Sequence, residues 1–229
     1  EGGARTRRAI FFLGAERAER TTTIGGGGGR GQTMSSGTIT QHALVNDRYE
    51  VQRTLGTGSF GSVYLVADIV DGRRTLALKV ERKDARYKEQ LRGEYRTYVA
   101  MGQRRIDDDG GGRPPHPNLG SAFWFGSYGN RNIMVMELFG ASAEDRFQAL
   151  RRCVSHGTSL WLVLQMLRGI RAMHERYFLH RDVKPHNFVM STTGPPRLVL
   201  VDMGLAKRYR TSKLDHIECR TGRSITGTV

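Results

Sequence analysis

The stretch Leu179-His180-Arg181-Asp182-Val183-Lys184-Pro185-His186-Asn187 brings a carboxylate, a lysine and a carboxamide close together in the chain. Pro185 fixes its own φ and offers no backbone N–H, so this stretch is predicted to be a shaped loop and not a helix. A carboxylate at Asp182 can accept the proton of an attacking hydroxyl, and the amide oxygen of Asn187 can bind a hard cation such as Mg²⁺. Lys184 can lie against a phosphoryl group. The alternative is an ordinary polar turn after an apolar helix.

A glycine-rich motif, Leu55-Gly56-Thr57-Gly58-Ser59-Phe60-Gly61-Ser62-Val63, lies between two predicted strands at 49–55 and 62–68. Dinucleotide-binding proteins share the Gly-x-Gly-x-x-Gly pattern, but in them a helix must follow the glycines. Here a strand follows, so the glycines are predicted to lie in a β-hairpin. In such a hairpin the backbone amides can approach phosphates without Cβ clashes, and Phe60 can fold over the top as a lid.

Lys79 lies in the next predicted strand, at 76–80, on the same face as Ala77. Ala77 can form the floor beneath a flat ring while Lys79 reaches phosphates. An acid on the predicted helix at 88–101 should pair with Lys79. Glu94 is the first candidate because it adjoins the apolar face of that helix, and Glu89 is the second.

Strands are predicted at 122–128 and 133–137, with helices at 143–152 and 160–176. In the second helix, an apolar stripe from Leu160 to His174 is predicted to face a core. Beyond it, Asp202 follows a predicted buried strand at 198–201 and precedes Met203-Gly204, which suits a carboxylate presented to Mg²⁺. His174, His180 and His186 recur every six residues, a spacing that predicts no metal site.

The composition narrows the class of protein. The 229 residues contain two cysteines, Cys153 and Cys219, which give neither a disulfide framework nor a zinc pattern, so an intracellular location, cytoplasmic or nuclear, is expected. No apolar run is long enough to span a membrane. The net charge of +14 favours acidic partners. Residues 1–47 are rich in Gly and Arg and are predicted to be a disordered tail, in which Met34 is a candidate start.

At these motifs the chain resembles a protein kinase, whose catalytic loop reads His-Arg-Asp-Leu-x-x-x-Asn. The resemblance implies an α+β bilobal fold over 48–229. An N-lobe of antiparallel sheet and one helix would occupy 48–138, and a mainly helical, incomplete C-lobe 139–229. It implies that Asp182 deprotonates the hydroxyl and that Lys184 and Lys79 hold phosphates, with Glu94 positioning Lys79. Asn187 and Asp202 would bind Mg²⁺. The implied ATP-binding residues are Leu55, Gly56, Thr57, Gly58, Ser59, Phe60, Gly61, Ser62, Val63, Ala77, Lys79, Met136, Glu137 and Phe139.

Within the kinases, the stretches 55–65, 134–140, 180–188 and 204–210, with Ile225-Thr226-Gly227-Thr228, resemble the casein kinase 1 group. The departures are His186 for the usual Asp, Phe139 for Leu and Ala141 for Pro. This resemblance implies a monomeric Ser/Thr kinase. It also implies an anion site at Arg220 and Arg223 that favours acidic or phosphorylated protein substrates.

The resemblance stops at Val229, inside the activation segment, before the helices that would cover the stripe from Leu160 to His174. The chain is therefore expected to be a fragment or a truncated product, inactive by itself. Two other functions are retained as alternatives. One is a non-catalytic scaffold with a kinase fold. The other is a nucleic-acid binder, suggested only by the positive charge, without a stacking-aromatic motif to support it.

Overall fold

The computed structural model describes residues 39–58, 61–82, 89–103, 114–211, 213–218, 221–222 and 226–228. Its first part is a six-stranded antiparallel sheet in the order β1-β2-β3-β4-β6-β5. The strands are β1 (Leu44–Val45), β2 (Tyr49–Gly58), β3 (Gly61–Asp68), β4 (Arg74–Glu81), β5 (Ala122–Tyr128) and β6 (Arg131–Glu137). Helix α1 (Gln90–Ala100) packs against this sheet, where Tyr95 stacks on Phe125 with ring centroids 5.4 Å apart.

Alternation along β4 divides its side chains between two apolar clusters. Leu76, Leu78 and Val80 pack into a cluster with β1, β2 and β6 residues, whereas Ala77 packs into the cluster that contains Leu91 and Tyr98 of α1. Lys79 is on the Ala77 face because residues two apart point the same way. The predicted common face of Ala77 and Lys79 is therefore turned toward α1.

The second part contains two further helices and five short strands. These are β7 (Phe139–Ser142), α2 (Ala143–Ala149), α3 (His156–His174), β8 (Phe178–Leu179), β9 (Phe188–Ser191), β10 (Leu198–Leu200) and β11 (Lys207–Arg208). Strands β10, β9 and β7 form one small sheet, and β11 pairs with β8. The first part is mainly sheet and the second contains the longest helix, so the predicted α+β class is confirmed.

The ordered part begins earlier than the predicted boundary at residue 48. Strand β1 pairs with β2, and Ile39 and Val45 are buried in the cluster beneath the sheet. The predicted tail does contain apolar residues, and these two are buried against the strands of the sheet. Residues 1–38 of that tail lie outside the described residues.

Only the C-terminal part of the predicted stripe of α3 faces the core, where Met173 is buried and Ile170 packs beside it. The rest of the stripe is uncovered in the described part of the chain, as expected of a chain without further helices over this face. The buried positions of α3 are Gln165, Gly169, Ala172 and Met173. Gly169 allows a close approach, since a Cβ there would lie 3.2 Å from the carbonyl oxygen of Asn118, and Asn118 also donates to Gln165. The apolar residues on the other side are 48–71% exposed: Leu160, Val163, Leu164 and Leu167.

Two further elements differ from the sequence prediction. The chain was expected to go directly from β6 into a helix, but β7 intervenes and pairs with β9. Helix α2 begins at the predicted residue, after a capping box between Ser142 and Asp145, but ends at Ala149, before Arg151 and Arg152. Both arginines have positive φ, 52° and 61°, which a continuing helix excludes. Within the described residues, we find no helix that is both long and apolar enough to cross a membrane.

Candidate active site

Asp182 lies at the centre of a closely bonded group in the loop between β8 and β9. Lys184 Nζ donates to its Oδ2 at 2.7 Å, and Asn187 Nδ2 reaches the same oxygen at 3.2 Å. The other oxygen, Oδ1, accepts from the backbone N–H and the hydroxyl of Thr228, at 3.0 and 2.7 Å. The carboxylate is thus held in one orientation by donors from two distant parts of the chain.

These donors also control the charge of Asp182. Burial by itself would raise the pKa of this carboxyl, but the hydrogen bonds from Lys184 and Thr228 outweigh that effect and lower the pKa below its ordinary value. Asp182 is therefore ionised at neutral pH, as a proton acceptor must be.

His180 fixes the backbone on either side of the site. Burial lowers its pKa, so the imidazole is neutral at pH 7. Its Nε2 donates to the carbonyl oxygen of Val201 at 2.9 Å, and its Nδ1 accepts from the backbone N–H of Asp182 at 3.3 Å. One neutral ring thereby ties the Asp182 loop to the residue that precedes Asp202.

Asn187 and Asp202 are brought together by a backbone hydrogen bond. The Val201 N–H donates to the carbonyl oxygen of Asn187 at 2.9 Å. The Nδ2 of Asn187 is used by Asp182, which leaves the Oδ1 of Asn187 available to a cation. Among the described residues we find no group of three or more His, Cys, Asp or Glu side chains that could hold a metal. Two oxygen donors fit Mg²⁺, which proteins bind with one or two side chains plus the oxygens of substrate phosphates.

Lys79 reaches the same region from β4. Its Nζ lies 2.7 Å from Glu94 Oε2 and 3.7 Å from Asp202 Oδ1. Burial alone would lower the pKa of Lys79, but the two carboxylates outweigh it and raise the pKa, so Lys79 is charged. The predicted pairing of Lys79 with Glu94 is therefore observed. Glu89, the other candidate, is exposed and lies near Arg92 instead.

The glycine-rich motif forms the predicted hairpin between β2 and β3. Gly58 and Gly61 are paired across its end, and Thr57 faces Ser62. Gly61 has a φ of +141°, and a Cβ built on it would overlap the carbonyl oxygen of Val80 in β4. The position therefore requires glycine. Ser59 and Phe60 lie outside the described residues, so the predicted lid is not observed here.

Three of the residues expected to bind ATP lie at the end of β6 and the start of β7: Met136, Glu137 and Phe139. Met136 is 1% exposed and pairs with Ala77 of β4, so these two residues lie side by side. The backbone N–H of Glu137 donates to the carbonyl oxygen of Ser121. Phe139 begins β7, and its side chain packs in the core.

Sequence reasoning gave no role to Thr228, although it noted the Thr-Gly-Thr element in which Thr228 lies. Gly227 brings this element against the loop: its φ is +127°, and a Cβ there would lie 2.6 Å from the carbonyl oxygen of Arg181. A glycine between two threonines was the available signal of such a close approach. The proposed anion-site residues Arg220 and Arg223 lie outside the described residues.

The chain was then compared with known protein families. The family model for the protein kinase domain matches residues 49–224. The match includes the glycine-rich hairpin, Lys79 and Glu94, and both loops of the site.

Proposed function

We propose, since the chain belongs to the protein kinase family, that the full-length protein transfers the γ-phosphate of ATP to serine and threonine hydroxyls of proteins. The strongest support for this proposal is the arrangement of side chains around Asp182. Asp182 is ionised and fixed beside Lys184 and Asn187, while His180 ties its loop to the residue before Asp202. This arrangement brings together a proton acceptor, a cation that can bind phosphate and two oxygen donors that could bind a metal.

Each side chain has a role that its surroundings support. Asp182 accepts the proton of the attacking hydroxyl, and Lys184 neutralises charge on the transferred group. Lys79 holds the non-transferred phosphates and is itself oriented by Glu94, 2.7 Å away. Asn187 and Asp202 would hold Mg²⁺, which when bound neutralises phosphate charge. The protein's contribution is mainly positioning and preorganised charge.

The preference for serine and threonine is supported by Thr228. Its Oγ1 lies 2.7 Å from both Asp182 Oδ1 and Lys184 Nζ, so a short aliphatic hydroxyl fits within reach of both groups. The hydroxyl of tyrosine is separated from its backbone by an aromatic ring, so it lies farther from the backbone than the hydroxyl of serine or threonine. A substrate backbone at the distance suited to serine would leave the tyrosine hydroxyl misplaced.

A preference for acidic or phosphorylated substrates, as in the casein kinase 1 group, is supported by charge. The chain has a net charge of +14, and exposed Lys207, Arg208 and Arg210 follow the Asp202 turn. Arg220 and Arg223 are the residues proposed to bind the substrate anion, since paired guanidinium donors match phosphate oxygens.

The first experiment compares Asp182→Ala with Asp215→Ala, an exposed acid in the following segment. Transfer of labelled phosphate from ATP to matched Ser, Thr and Tyr peptides is measured together with ATP binding. We expect Asp182→Ala to lose about 10³-fold in kcat while still binding ATP, and Asp215→Ala to retain activity. Near-normal transfer by Asp182→Ala contradicts the proposal, and transfer to Tyr at the rate for Ser contradicts its specificity.

The second experiment tests the substrate preference. The kcat/KM ratio for phosphorylated and unphosphorylated peptides is compared between wild type and the double variant Arg220→Ala, Arg223→Ala. The control is Arg151→Ala, Arg152→Ala, which removes the same charge from an exposed pair after α2. We expect only the first variant to lose the preference while keeping activity on a neutral peptide. An unchanged ratio in that variant rules out the anion site.

A further inference from the structure

Helix α1 begins without a capping side chain of its own. Its N-cap residue, Glu89, has a left-handed backbone with φ 79°, and its side chain makes no capping hydrogen bond. The first turn also lacks an acidic residue. The first N–H groups of a helix have no partner within it, so they require an acceptor from elsewhere in the protein.

Glu81 of β4 supplies that acceptor. Its Oε1 accepts from the backbone N–H of Leu91, the second residue of α1, at 3.0 Å. An N-cap side chain normally bonds to the second or third helical N–H, so Glu81 takes the place of an N-cap from a different element. Its Oε2 accepts from Asn132 Nδ2 at 2.7 Å, which fixes the carboxylate against β6. The negative charge also suits the helix N-terminus.

The position of Glu81 relates it directly to the candidate active site. It follows Lys79 by two residues on β4, so both side chains project from the same face. On α1, Glu94 comes one turn after Leu91. Strand and helix are therefore joined at two neighbouring points, Lys79 with Glu94 at 2.7 Å and Glu81 with Leu91 at 3.0 Å. Both acids line one cavity of about 20 Å³ with Lys79.

We propose that Glu81 is a positioning residue that holds the start of α1 so that Glu94 stays against Lys79. The proposal rests on the ATP binding that is part of the proposed function. In the proposed site the phosphates of ATP and Glu94 share the Lys79 ammonium, so they compete for its donors. A helix held at this point by the ion pair alone would shift, whereas the bond from Glu81 to a backbone N–H is unaffected by that competition.

The test is a double-mutant cycle on the full chain, read out as the Kd for ATP. The variants are Glu81→Ala, Glu94→Gln and their combination. We expect Glu81→Ala to weaken ATP binding about tenfold in the wild-type background, but less than about twofold when Glu94 is already changed. Glu50→Ala, which removes a half-buried acid on β2, two strands away from β4 in the sheet, is the matched control and should bind ATP normally. Equal losses in both backgrounds overturn the proposal, since a general structural defect would be additive.

Two further variants separate positioning from charge and from misfolding. Glu81→Gln keeps an acceptor for the Leu91 N–H and should restore most of the affinity. If it binds as weakly as Glu81→Ala, the charge matters and the positioning role is wrong. Asn132→Ala loosens Glu81 without removing it, and we expect a smaller loss that again depends on Glu94. An Asn132→Ala loss that persists in the Glu94→Gln background overturns the proposal even if Glu81→Ala does not fold.

Amide hydrogen exchange of residues 90–100 gives a readout that does not need catalysis. We expect Glu81→Ala to speed exchange in the first turn of α1 more when ATP is bound than when it is absent, relative to wild type. Exchange that changes equally in both states contradicts the competition with phosphate. A wild-type full-length protein that binds ATP but phosphorylates no peptide contradicts the proposed function alone, because the cycle and the exchange still decide the role of Glu81.

Discussion

Gly61→Ala is the substitution whose cost the structure defines best. Gly61 has a φ of +141°, which L residues rarely adopt, and its Cα faces the backbone of β4. A Cβ there would overlap the carbonyl oxygen of Val80 and lie 2.9 Å from its carbonyl carbon. Since the obstacle is backbone, no side-chain rotation relieves it. The backbone conformation costs about 2 kcal/mol and a lost ladder hydrogen bond about 1 kcal/mol, a total of about 3 kcal/mol.

Gly72→Ala is the matched control. Gly72 also has positive φ, +55°, but a Cβ there meets nothing within 4 Å, so only a backbone cost of about 1 kcal/mol is expected. Chemical denaturation gives the two free energies of unfolding, and calorimetry gives the ATP affinities. We expect Gly61→Ala to be the less stable by about 2 kcal/mol and to bind ATP about tenfold more weakly, whereas Gly72→Ala keeps its affinity. Equal destabilisation by both variants would refute the reasoning.

Three other predictions follow from the charges and the exposed surface. Asp68 is 1% exposed and paired with Arg48 at 2.8 Å, so Asp68→Asn should lower the free energy of unfolding by about 2 kcal/mol at pH 7. Hydrogen bonds from Arg48 outweigh burial and lower the pKa of Asp68. The stabilisation by Asp68 is therefore fully present above the pKa of this carboxyl in the unfolded chain, about 4, and is lost as the pH falls through its lower pKa in the folded chain. A difference in denaturation midpoint between Asp68→Asn and wild type that persists at low pH would contradict this. Lys184→Met should raise the pKa of Asp182 and move the acidic limb of the kcat/KM profile to higher pH, and an unmoved limb would contradict that. Leu164→Lys should change the free energy of unfolding by less than about 0.5 kcal/mol while reducing aggregation in light scattering, because Leu164 is 48% exposed; a larger loss would show that it is packed.

Local chemistry explains why the sheet was predicted well from the sequence. The β5–β6 hairpin turns at Gly129, whose φ is +58°, as a Gly-Asn pair between apolar runs predicts. The alternation of apolar residues along β4 predicts which face of the strand carries Lys79. The ion-pair partner of Lys79 was also predictable, since the apolar residues of α1 place Glu94 on the side of the helix that packs against the sheet.

The sequence predicted the structure less well where the arrangement depends on contacts between residues that are far apart in the chain. The apolar periodicity of α3 predicted a stripe that includes Leu164 and Leu167, which are exposed in the described chain, whereas the side that packs most closely carries Gly169, against Asn118. Likewise, Thr228 reaches Asp182 only because Gly227 fits against the Arg181 backbone. Apolar periodicity shows how apolar a helix face is, but it does not show which face can pack closely against a neighbouring element.

The same dependence on backbone contacts explains how the candidate site keeps its shape. Arg181 and Asp202 both have a left-handed backbone, with φ 67° and 65°, which costs a non-glycine residue about 1 kcal/mol or more. Each conformation persists because its neighbours are fixed: Arg181 Nε donates to the carbonyl oxygen of Leu205, and His180 holds the carbonyl oxygen of Val201. These bonds involve backbone atoms and do not depend on a bound phosphate. The orientation of the Asp182 and Asp202 carboxylates is therefore a property of the folded chain and does not require a bound ligand.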